Sequence, residues 1–269
     1  MGSWPPWSAP PVVVGLVGLV GLVGLVGLLG LTVLCLRPVV DDAAWGNMLS
    51  GTGRGAAEKA GKSLRGRRGG RIIHQMDDMP SRFPVSLPAL RAAAREAGFI
   101  RSCEERTGSL LAVLAAACPG GRILELGTGV GEGTAWLLSG MDRASHLVTV
   151  ELDEAVQKVA REELGSDPRV TFVAEDGGAW LRNYGGEPFD LVFADTWPGK
   201  FSHLERALQL VALGGTYLID DLTPQPDWPE DHEAAVERLL AGLEAREDFH
   251  SVRMAWASGL LMAVRSAGA

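Results

Sequence analysis

The 269-residue chain predicts an α/β fold: a doubly wound, mostly parallel seven-stranded sheet that ends in an antiparallel hairpin. Three observations predict it. From residue 122 onward, strand-like apolar runs alternate with helical patterns. Four of those runs, LVTV, VTFV, LVFA and TYLI, are nearly continuously apolar, as strands covered on both faces are. The last two strands are joined by a turn too short for a parallel crossover, so they must pair antiparallel.

Taken in order, two helices come first. ALRAAAREAGFI after Pro88 places Leu90, Ala93, Ala94 and Ala97 at helical spacing and is closed by Gly98. A second helix runs from about Thr107 to Ala117 and stops at Pro119-Gly120-Gly121. Strands are then expected at Arg122–Leu126, His146–Glu151, Val170–Ala174, Phe189–Ala194 and Thr216–Asp220. Helices fill the gaps at Gly131–Ser139, Asp153–Glu163, Asp176–Asn183 and Phe201–Val211. A last helix, Asp231 to Ala245, leads into Phe249–Trp256 and Gly259–Arg265, the hairpin.

Residues 1–36 and 37–79 differ from this pattern. Val12 to Leu36 is 25 residues without a charge, built on six glycine-led triplets. As a helix it would extend about 37 Å, enough for a hydrocarbon core of about 30 Å. It is expected either to be a single-pass anchor or to reflect a repeat expansion or a start codon placed too early, with Met48, Met76 and Met79 as later starts. If it spans a membrane, the basic residues after it put the remaining chain on the cytoplasmic side. Residues 37–79 are rich in Gly and Arg and are expected to be a disordered linker.

From Pro80 to the end, seventeen Lys and Arg face 28 acids, a formal balance of −11. Such a domain repels a phosphate backbone, which argues against a nucleic-acid substrate. Cys35, Cys103 and Cys118 are odd in number and scattered, so no disulfide framework or zinc site is expected.

The chemistry concentrates where ligands bind in open parallel sheets, beyond the carboxyl ends of the strands. ILELGTGVGEGT, Ile123 to Thr134, is a glycine-rich strand-to-helix turn of the kind that serves phosphates, dinucleotides or S-adenosylmethionine. It lacks the GxGxxG spacing of dinucleotide sites. Every strand exit is acidic: Glu125 after the first, Glu151 after the second, Asp176-Gly177 after the third, Asp195 after the fourth and Asp220-Asp221 after the fifth. One such acid alone reads as a helix cap.

The run ExGxGxG from Glu125 to Gly131, followed by these acids and the terminal hairpin, resembles class I S-adenosylmethionine-dependent methyltransferases, whose domain is Rossmann-like. FDLVFADTWPGKF and LGGTYLIDDL are similar to catechol O-methyltransferase and the small bacterial O-methyltransferases. The resemblance spans residues 80–269. It implies that Glu125, Gly127, Gly129, Gly131, Glu151, Asp176 and Gly177 bind the cofactor, with Glu151 on the ribose hydroxyls. It further implies that Asp195, Asp220 and Asp221 hold a Mg²⁺ that acts on the acceptor hydroxyl, and that Trp197 walls the acceptor. Trp228, in the Pro-rich loop at the site mouth, is expected to form part of its apolar lip.

Two departures stand out. Asp221 replaces an Asn of the family, and the family's general-base lysine corresponds to Pro198, with Lys200 two residues further on. Lys200 with Asp195 is therefore the candidate catalytic pair, and His232, in TPQPDWPEDH, is either a second candidate base or an early residue of the last helix. The implied function is O-methylation of a small hydroxylated molecule, Mg²⁺-assisted, by a homodimer. The alternatives are a metal-independent enzyme with an N or C acceptor, or a cofactor-binding protein without turnover; the glycine spacing argues against an NAD oxidoreductase.

Overall fold

The computed structural model describes residues 78–99, 102–225 and 231–268, all within the compact unit Arg71–Ala269. Two helices, α1 (Leu87–Glu96) and α2 (Glu105–Ala116), lead into β1 (Arg122–Leu126), α3 (Glu132–Gly140), β2 (His146–Glu151), α4 (Glu154–Leu164) and β3 (Val170–Ala174). Then come α5 (Gly177–Asn183), β4 (Phe189–Ala194), α6 (Leu204–Gln209), β5 (Val211–Ile219), α7 (His232–Glu244), β6 (Phe249–Met254) and β7 (Leu260–Arg265).

The seven strands form one sheet in the order β3-β2-β1-β4-β5-β7-β6. β1 to β5 pair in parallel, and β7 lies antiparallel to both β5 and β6. Because β1 pairs with β2 on one side and β4 on the other, the chain reverses direction across the sheet there, opening a crevice above β1 and β4.

Alternation along the strands builds two cores, one per face. Leu124, Leu126, Val192, Ala194 and Tyr217 point to the side covered by α5, α6 and α7. Ile123, Leu191, Phe193 and Leu218 point to the side covered by α1 to α4, where Leu90, Leu111, Trp136 and Leu164 meet them. Each fully buried Leu or Phe contributes about 1.5–3 kcal/mol. The same alternation aims Glu125 at the second face, into α3.

Two elements, α6 and β5, differ most from the sequence expectation. α6 starts at Leu204 and ends at Gln209, and β5 begins at Val211 instead of Thr216. The β4–β5 register jumps between Phe189 opposite Val211 and Leu191 opposite Thr216, and Gly214, at φ 77°, accommodates the irregularity. The two glycines that read as a break lie inside the strand.

Among the described residues no helix is long and apolar enough to cross a membrane. The repeat at 12–36 and the linker up to residue 77 lie outside the described residues.

Candidate active site

At the carboxyl ends of β1, β4 and β5 lies a cleft of about 600 Å³. A larger groove of about 1300 Å³ runs over α1, α2 and α3, but none of the strand-exit residues lines it. The chemistry therefore belongs to the smaller cleft.

Its floor is the glycine turn. Gly127, Gly129 and Gly131 all have positive φ, at 100°, 53° and 96°. At Gly127 a Cβ would stand 2.8 Å from the Asp195 carbonyl oxygen, so only glycine lets the turn and the β4 exit lie this close.

Beneath the turn, Glu125 is 0% exposed. Its Oε2 accepts the Thr134 hydroxyl at 2.5 Å and the Thr149 hydroxyl at 2.6 Å, while buried Oε1 has no protein partner. Burial, against the two hydroxyl donors and with added repulsion from Glu151, pushes this carboxyl up to about 7. Gln157 completes the support: its amide nitrogen donates to the Thr128 hydroxyl and the Val173 carbonyl, both at 3.0 Å.

Glu151 sits at the edge of the turn, where its Oε2 accepts the Gly129 N–H at 2.9 Å. Asp176 is placed differently. Its Oδ1 accepts the Ala179 N–H at 2.7 Å as the N-cap of α5, and Gly177 packs toward Pro198. Neither of these two residues lines the cleft.

At the other end the fourth strand exits into DTWPGK. The Trp197 carbonyl accepts the N–H groups of Lys200, Phe201 and Ser202 at 3.1, 2.9 and 3.1 Å, which curls the chain into a tight turn around it. Gly199 takes φ 90°, where a Cβ would meet Leu126 at 2.5 Å. The curl carries Lys200 inward, to 4% exposure on the cleft wall.

Asp195 and Asp220 share that wall, and Asp221 adjoins them. Burial and repulsion from Asp220 and Asp221 hold the Asp195 carboxyl well above the usual range, with Lys200 opposing the shift. Asp220, 3% exposed, is pushed up to about 6 by burial and by Asp221, against hydrogen bonds from the Ser258 hydroxyl and the Asp221 N–H. Burial lowers Lys200, while Asp195, Asp221 and Asp220 favour its charged form.

The expected metal triad is not assembled. Among the described residues no group of three His, Cys, Asp or Glu side chains is arranged to hold an ion. Asp220 Oδ1 accepts the Asp221 N–H at 2.7 Å and the Ser258 hydroxyl. Asp221 turns away at φ 58° and accepts the Gln225 amide at 3.2 Å. Asp220 and Asp221 each give one oxygen to local donors, and Lys200 is the positive charge beside them on the wall.

Trp197, 48% exposed, forms the lip with Phe201 and His232. Trp228 lies outside the described residues. Sequence patterns gave no warning of Ser258, which lines the cleft together with Phe99 and Cys103. Gln157 left one trace, a polar residue in the α4 stripe that buries Ala160 and Leu164.

The comparisons agree with this geometry. A family model described as a methyltransferase domain matches residues 124–222, from β1 through the Asp220-Asp221 pair. A protein of Mycolicibacterium vanbaalenii, provisionally named an O-methyltransferase, is 30% identical over 199 residues, spanning 67% of this chain and 86% of the relative. The chain belongs to the class I S-adenosylmethionine-dependent O-methyltransferases. Catechol O-methyltransferase of Mycobacterium tuberculosis is 32% identical to this methyltransferase over 142 residues, 51% of the chain and 64% of the relative. The crystal structure of cofactor-bound Rv0187 from MTB superposes with a TM-score of 0.60 at 26% identity, covering 67% of this methyltransferase and 89% of that chain.

Proposed function

We propose that this methyltransferase moves the methyl group of S-adenosylmethionine to a hydroxyl oxygen of a small molecule, in the cleft above β1, β4 and β5. The observation that carries the proposal is Lys200, buried on the cleft wall beside Asp195 and Asp220, across from a left-handed glycine turn edged by Glu151.

At the cofactor end, Gly127 and Gly131 let the turn pack close against Asp195 and Ala160, and Gly129 keeps the turn bare on the cleft side beside Phe99. Glu151 accepts ribose hydroxyls in place of the Gly129 N–H. Glu125, committed to Thr134 and Thr149, supports the turn from below, with its Oε1 turned toward Gly133. Asp176 and Gly177 form the adenine flank, one strand exit beyond Glu151. Bound S-adenosylmethionine supplies a methyl group on a cationic sulfur.

At the acceptor end, the Lys200 ammonium donates a hydrogen bond to the acceptor oxygen and stabilises the negative charge that develops as the hydroxyl loses its proton. Asp195, Asp221 and Asp220 favour the charged form of Lys200 against its burial. Trp197 walls the acceptor and excludes water. Mg²⁺ held by Asp195, Asp220 and Asp221 is the alternative at this end; their present hydrogen bonds do not fit it, so no step is assigned to an ion. Methyl transfer is chiefly a problem of alignment, which these walls provide. A homodimer and a membrane tether through residues 12–36 complete the proposal, to be tested by sedimentation and by fractionation.

The test is transfer of labelled methyl from S-adenosylmethionine into a metabolite extract by the full chain, with and without chelator. Labelled methyl ethers in both conditions support the proposal; label found only on nitrogen or carbon, or on nothing, defeats it.

A further inference from the structure

We propose that His232 is a second catalytic residue of this site and accepts the proton of the acceptor hydroxyl beside Lys200. This rests on the methyl-transfer reading above. Among the described residues lining the cleft, Lys200 and His232 are the two nitrogen bases. The remaining ionisable side chains there are carboxylates and the thiol of Cys103, which burial pushes far up. At the position of the family's lysine base stands Pro198, which has no group that can take a proton.

His232 is the first residue of α7 and is 8% exposed. Its ring is gripped edge-on by two aromatic rings of the curled turn: Trp197 at 5.9 Å and 88°, and Phe201 at 4.9 Å and 77°. The same Phe201 ring lies 5.2 Å from Lys200 Nζ. One rigid aromatic corner thus fixes both nitrogen groups at the acceptor end. That is what general-base catalysis needs, since an acceptor hydroxyl must meet the base within hydrogen-bond reach.

The two groups divide the work by their surroundings. Burial lowers Lys200 as well, but three carboxylates, Asp195, Asp221 and Asp220, oppose that shift and favour its ammonium. Burial and the Lys200 charge lower His232, against Asp221 from the β5 exit and Asp231 before its own helix. The helix N-terminus also disfavours a cation at that residue. A neutral imidazole is the form that can take a proton. In the step itself, the acceptor oxygen forms a bond to the methyl carbon as the carbon–sulfur bond breaks and its electron pair returns to sulfur. The hydroxyl proton passes to the imidazole, so one cationic sulfonium is exchanged for one imidazolium, which then gives its proton to solvent at the mouth.

Two measurements on the full chain test this. With S-adenosylhomocysteine bound, the His232 ring followed by NMR should half-titrate below about 6.5, the ordinary imidazole value. Lys200→Met should raise that midpoint, because the Lys200 charge opposes the imidazolium; the pH–rate profile separates a base from a merely structural histidine. With catechol as acceptor, His232→Gln should lower kcat by about 10²–10⁴-fold and remove the acid limb of the pH–rate profile. Affinity for S-adenosylhomocysteine should not change, and imidazole should restore part of the rate to His232→Ala. A midpoint at or above 6.5, or a kcat for His232→Gln within about threefold of wild type with its acid limb intact, would overturn the proposal. If the wild type methylates neither catechol nor any other hydroxyl acceptor while still binding S-adenosylhomocysteine, the methyl-transfer reading fails first and takes this one with it.

Discussion

Glu151 accepts the backbone N–H of Gly129 at 2.9 Å, which ties the exit acid of β2 to the middle of the glycine turn. Its other oxygen accepts the Asp153 N–H at 3.1 Å. The carboxylate thus holds the turn in shape until ribose hydroxyls compete for it. Glu151→Ala should weaken S-adenosylhomocysteine binding by about 10–100-fold, the value of a hydrogen bond to a charged group. Calorimetry checks this, and unchanged affinity would remove Glu151 from the cofactor site.

Glu125 makes stability depend on pH. Its folded carboxyl is pushed up by burial to about 7, from the ordinary glutamate value of 4.5. The native state therefore holds a proton that the unfolded state has lost, and stability falls as pH rises through that window. The penalty is absent below the unfolded value and complete above the folded one, reaching on the order of a few kcal/mol. Denaturant unfolding at pH 5 and pH 8 should show Glu125→Gln gaining on the wild type as pH rises. A difference that does not change with pH would contradict this.

Much of the fold was legible because the signals were local and repeated. β1 to β4 begin and end where their apolar runs do. β5 begins at Val211, ahead of the expected Thr216, because the irregular pairing with Phe189 takes Gly214 and Gly215 inside the strand. At the site, acidic strand exits could be read but their commitments could not. Asp176 caps α5 and Asp220 holds the Asp221 N–H and Ser258, and these are decided by partners 1 to 38 residues away. Lys200 reaches the cleft only because three N–H groups converge on the Trp197 carbonyl, a geometry no spacing rule contains.

Gly127→Ala should destabilise the protein and abolish cofactor binding. Its φ of 100° costs a non-glycine residue about 1–3 kcal/mol, before counting the Asp195 carbonyl 2.8 Å from the new methyl group. Thermal unfolding should fall by about 2–4 °C per kcal/mol for a domain of this size. An unchanged Tm would mean that the turn and the β4 exit are not in contact.

Lys200→Met should lower kcat by roughly 10²–10³-fold, as loss of an oxyanion donor does, while S-adenosylhomocysteine binds as before. Chelator should leave wild-type turnover intact, since among the described residues no three carboxylates are arranged to hold an ion. Turnover that vanishes in chelator and returns with Mg²⁺ would transfer the role of Lys200 to an ion.

The most direct test of the account is calorimetric titration of the full-length chain with S-adenosylhomocysteine, beside Glu151→Ala. Saturable binding at one site per chain, weakened by that substitution, is the predicted result. No heat of binding in the wild type, or binding indifferent to Glu151, would contradict the assignment of this cleft as the cofactor site.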